Sequence, residues 1–102
     1  MINDSELAAA QEAAAIFQML GPSSPRDHEI IAKLRTVARL ATDSVTTSLS
    51  EADRNIIRSE TAISIGLVAS TWEKHEPLPA EMIDRARKAA RAWVEILSYL
   101  RS

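Results

Sequence analysis

The sequence predicts an all-α fold, a four-helix bundle-like domain with mostly antiparallel neighbours and helices at about 4–20, 25–47, 51–75 and 80–100. Three observations predict it. Only 2 glycines and 4 prolines interrupt 102 residues, so long stretches run without chain breakers. Apolar residues recur at spacings of three and four through those stretches, the period of a helix with a buried face. The breakers that do occur, Gly21-Pro22, Ser24-Pro25 and Pro77-Leu78-Pro79, fall between the periodic segments. The whole chain, 1–102, reads as a single helical domain.

The first helix is expected from Asp4 to Leu20. Asn3 is placed to cap it, with Glu6 three residues on reaching back to the cap, and Ile2 and Leu7 stand at the spacing of a hydrophobic staple. Leu7, Ala10, Ala14 and Phe17 form one apolar row, and the many alanines allow a neighbouring helix close approach. Gly21 supplies a left-handed stop, and Pro22 cannot continue the ladder. The second helix is expected to begin at Pro25, with Ser24 as cap and Asp27 at the third position. Ile30, Leu34, Val37, Ala41 and Val45 keep helical spacing, which carries the helix to about Thr47 despite a Thr- and Ser-rich stretch.

Ser50, followed three residues later by Asp53, starts the third helix. At ~1.5 Å per residue, that helix spans about 36 Å, long for a ~100-residue globule. Its length predicts an elongated bundle, a kink near Gly66 or a projection toward a partner. The fourth helix runs from Ala80 to about Leu100, with Met82, Ala86, Trp93, Leu97 and Leu100 as its buried stripe. Its opposite face pairs Asp84 with Lys88, Glu81 with Arg85 and Arg91 with Glu95 at i,i+4.

Composition narrows the function. There is no cysteine, hence no disulfide framework, thiolate metal site or cysteine nucleophile. The net charge of −2 lacks the concentrated basic surface that sequence-independent nucleic-acid binding needs. No apolar run approaches the ~18 residues of a membrane span. The opening residues show neither the positive charge nor the apolar run of a secretory leader, so the expected location is the cytoplasm. His28 and His75 stand alone, and neither sits in a Glu-x-x-His or His-x-x-x-His pattern. Glu73 and Glu76 form a single acidic pair at a helix end, where negative charge is disfavoured. Gly21 and Gly66 form no phosphate loop, and no serine sits in a nucleophile elbow. No metal, cofactor or small-molecule substrate is expected. A helical enzyme subunit built on Glu60, Trp72, Arg91 and Trp93 is the weakest alternative, because no pair of groups there is set up for acid–base work.

Two features point outward. His28, Arg35 and Arg39 form a basic strip on the second helix, the basis for an alternative reading as a nucleic-acid- or anion-binding regulator. The third helix is apolar on two sides. One row is Ile56, Ile63 and Leu67; the other is Ile57, Ile65, Val68, Ala69 and Trp72. A third strip, Ala62, Gly66 and Ser70, is small enough for another backbone to approach. One helix of a bundle needs one inward face, so the surplus predicts an interface. Trp and Arg are common interface anchors, so the expected contact residues are Arg54, Arg58, Ile65, Ala69 and Trp72. The function expected is a small non-enzymatic protein–protein interaction module. It acts as an adaptor, inhibitor or regulatory subunit, as a homodimer or with a protein partner.

Overall fold

The structure, a computed structural model, describes residues 4–44 and 49–101, the last by its backbone. The capping role expected for Asn3, the staple at Ile2 and the extension of the second helix through Val45 to Thr47 lie outside the described residues. Helix α1 spans Asp4–Met19, α2 His28–Thr42, α3 Glu51–Asn55, α4 Ala62–Glu73 and α5 Ala80–Arg101. Between α3 and α4 the chain winds as a π-helix over Ile56–Thr61, so α3, the π segment and α4 form one continuous third rod.

The rods pack as a ring, with α1 beside α2 and α5, and the third rod also between α2 and α5. Neighbours run antiparallel. Trp93 near the end of α5 meets Glu6 at the start of α1, and Arg58 of the π segment meets the carbonyl of Ser44 just past α2. Two seams are tight, α1 along α5 and α2 along α4, and the sequence explains both. Ala10 and Ala13 of α1 and Ala86 and Ala90 of α5 are all fully buried, and side chains this small let the two backbones approach closely. On the other seam a Cβ built on Gly66 would lie 4.0 Å from Ala38 Cβ, an ordinary contact distance. Gly66 therefore leaves room for a methyl group, and α4 runs through it without interruption. The bundle is elongated instead, 39 × 21 × 19 Å with a radius of gyration of 13.0 Å.

Several termini differ from the sequence expectation. Asp27, not Ser24, caps α2: its Oδ1 accepts from the N–H of Glu29 at 2.8 Å and of Ile30 at 3.3 Å. Ser24 Oγ instead accepts from the N–H of Gly21 at 2.9 Å, closing the α1–α2 turn. Gly21 does not take a left-handed conformation. That conformation falls to His75, with φ of 62°, at the end of α4. There the N–H of His75 donates to Trp72 O and the N–H of Glu76 to Thr71 O, the paired bonds of a Schellman motif. Ser50 does cap the third rod as expected, its Oγ accepting from the N–H of Asp53 at 3.1 Å.

Candidate functional site

The third rod is apolar on two sides, but the sides are exchanged relative to the expectation. Ile65, Ala69 and Trp72 are buried within the chain and belong to the core with Ile57 and Val68. They do not form an outer face, because α2 and α5 flank the rod on both sides and close over this row. The other row faces outward: Ile56, Ile63 and Leu67 are 43%, 53% and 41% exposed. No charged residue occurs from Thr61 to Trp72, so the outward side of α4 offers only Ile63, Leu67, Ser70 and their neighbours. Arg54 is half-buried, and Arg58 is exposed with its Nη2 donating to Ser44 O at 2.8 Å.

The basic strip is engaged within the fold for two of its three members. Arg35 forms an ion pair with Glu73 of α4. His28 Nε2 lies 3.1 Å from Arg26 Nη1; as Arg can only donate, that ring nitrogen accepts. Arg39 is exposed. Other arginines cap helix ends. Arg26 donates from Nε to Trp72 O at 2.9 Å, satisfying a carbonyl at the end of α4. Arg87 does the same for α1, reaching Phe17 O at 2.8 Å and Leu20 O at 3.1 Å. Cations near these carbonyl ends also meet the negative pole of each helix.

The expected pairs along α5 are replaced. Arg87 holds Asp84 at i,i+3, and Arg85 reaches across to Glu60 of the π segment with two hydrogen bonds of 2.8 and 3.0 Å. The Arg85 guanidinium, by hydrogen bond and by charge, holds the Glu60 carboxyl below the usual carboxylate range. Glu60, Trp72, Arg91 and Trp93 do not assemble. Trp72 lies at the end of the bundle near Arg26, Trp93 at the opposite end beside Glu6, and Glu60 is on the surface.

The polar feature that sequence reasoning missed is Glu6. It is only 2% exposed, and its carboxylate accepts from Ser44 Oγ at 2.9 and 3.0 Å and from Trp93 Nε1 at 3.3 Å. These bonds tie α1 to the end of α2 and to α5, fixing their register. The signal was available: Glu6 shares helical spacing with Ala10, Ala13 and Phe17, the buried row. A second missed group is the Thr61 hydroxyl, fully buried and without a hydrogen-bond partner.

Open clefts mark the surface of the described residues. One of about 540 Å³ lies between Asp53 and the end of α5 at Tyr99. One of about 440 Å³ lies between the end of α1 and the start of α2, and one of about 370 Å³ lies beside Arg26, His75 and Leu78. Trp72 lines the last two. Among the described residues, no cluster of three or more metal-ligand side chains is present, and no helix is long and apolar enough to cross a membrane. No protein-family model matches the chain, and neither does any curated protein or solved structure.

Proposed function

We propose that this chain is a non-enzymatic protein-interaction module, an adaptor, inhibitor or regulatory subunit, that works through the outward side of α4. The observation that carries this reading is the half-exposure of Ile63 and Leu67, one helical turn apart, on a stretch without charge from Thr61 to Trp72. An ordinary outward helix face carries charged residues; this one carries branched aliphatic side chains. An uncharged apolar face is complementary to its own copy across a twofold axis, so self-association is the form argued for.

The magnitude is modest. Fully burying an Ile or Leu contributes about 1.5–3 kcal/mol, so three half-exposed side chains on each of two copies supply roughly 5–9 kcal/mol. Against the cost of association, that supports a dimer of about micromolar affinity or weaker. Light scattering from about 1 to 500 μM, the range such an affinity requires, tests it. The wild-type mass is expected to rise above the 11.2 kDa of one chain with concentration. Ile63→Asp and Leu67→Asp are expected to hold it at one chain with unchanged far-UV circular dichroism, since neither side chain belongs to the core. A wild-type chain that stays single throughout, or variants that associate as it does, would refute the assignment of this face.

A further inference from the structure

The cleft between α1 and α2 is built differently from the outward side of α4. The α1–α2 seam is sparse compared with the α1–α5 and α2–α4 seams, and at the Gly21–Asp27 end it opens into the space of about 440 Å³. Leu20 and Trp72 are the most buried of its lining side chains, with Ile16, Met19 and Ile30 beside them, and Ser24, Pro25 and Asp27 also contribute. Such a volume, mostly apolar with few polar groups, is that of a small-molecule site.

We propose that this cleft binds a compact amphiphile with an anionic head, in chemical class a medium-chain carboxylate, tail against Trp72 and head at Lys33. Charge selects the head. Lys33 is the single cation in the lining and makes no ion pair among the described residues. Asp27, the single acid there, turns its Oδ1 to the N–H groups of Glu29 and Ile30 at the positive end of α2, which offsets its negative charge. Geometry selects the tail. Lys33 and Trp72 line the same space of about 440 Å³, and that bounded space sets a short apolar reach. Met19 is 87% exposed, and its unbranched thioether is suited to folding over a chain laid beneath it. A partner helix, ~10–12 Å across, needs a trough along the whole seam. The lining here is confined to residues 15–20 and 24–33 together with Trp72.

The test is titration with decanoate and decyltrimethylammonium below their micelle concentrations and with decanol below its solubility limit, read by tryptophan fluorescence and amide chemical shifts. Trp72 reports on the cleft, whereas Trp93 is fully buried at the other end. Decanoate is expected to give a saturable response confined to residues lining the cleft. Decanol is expected to bind about tenfold more weakly and the cationic amphiphile not at all. Lys33→Gln is expected to bring decanoate down to the level of decanol, and Met19→Asp to weaken both without altering the fold. Ile63→Asp is expected to leave decanoate binding intact, so this proposal stands or falls apart from the interface on α4. The proposal is overturned by the absence of a saturable response, by equal binding of decanol and decanoate to the wild type, or by indifference to Lys33→Gln. A response to an acidic amphipathic peptide running along the whole α1–α2 seam, with none to decanoate, would also overturn it and give the cleft to a protein segment.

Discussion

Replacing Thr61 by valine is expected to stabilise the protein. Thr36 and Thr42, both in regular α-helix, donate their hydroxyls to the carbonyls four residues back, Ala32 O at 3.1 Å and Ala38 O at 3.0 Å. Thr61 ends the π segment, where the N–H of Ala62 reaches five residues back to Ile57 O, and its own hydroxyl is fully buried with no partner. A buried polar group left unsatisfied costs about 1–3 kcal/mol, and an apolar group of the same shape avoids that cost. Valine keeps the branched Cβ, so the backbone preference is unchanged. The expected gain is about 1–2 kcal/mol, or roughly 5–10 °C in melting temperature for a domain of this size. Urea unfolding should show a higher midpoint with an unchanged slope. Thr61→Ser keeps the hydroxyl and loses a methyl group, so it should destabilise by about 1 kcal/mol. A valine variant less stable than the wild type would mean that the hydroxyl is partnered, and the reasoning would fail.

Two further outcomes follow from the helix ends and the surface. His75→Gly removes the Cβ penalty at the left-handed position after α4 and should raise stability by about 1 kcal/mol in thermal unfolding. Glu60, whose carboxyl is held low by Arg85 in the fold, contributes stability that is present above its unfolded-state value, about pH 4.3, and is lost as pH falls through the lower folded value. Glu60→Gln should therefore be less stable than the wild type at neutral pH and coincide with it in strong acid; parallel acid-unfolding curves at all pH values would contradict this.

The number and order of the helices were legible in the sequence because breakers are few and the periodicity is strong. The inward side of the third rod was not. Ile56, Ile63 and Leu67 and the row of Ile57, Ile65, Val68 and Trp72 both satisfy helical spacing, and spacing alone does not say which meets the neighbours. Volume carries the distinction: the larger row, with the tryptophan, fills the centre. Ser24 and Asp27 are both good caps three residues apart, so local pattern is degenerate, and Asp27 won. The distance from Asn3 suits Glu6 to a capping role, whereas its helical register places it among buried alanines. Long-range pairs such as Arg85 with Glu60 and Arg87 with the α1 carbonyls leave no trace in i,i+4 spacing. The clefts beside Trp72 arise from how closely neighbouring rods approach, which no single segment encodes.

The π segment makes the third rod tolerant of a change in chain length at one place. Its turn, closed from Ala62 back to Ile57, holds one residue more than the turn of an α-helix. Deleting a single residue there lets the ladder revert to ordinary winding, with Ile65, Val68 and Trp72 still facing the centre. The same deletion inside Ala62–Glu73 has no such slack to draw on. It turns everything beyond it by about 100° around the axis and swings the inward row toward a neighbour.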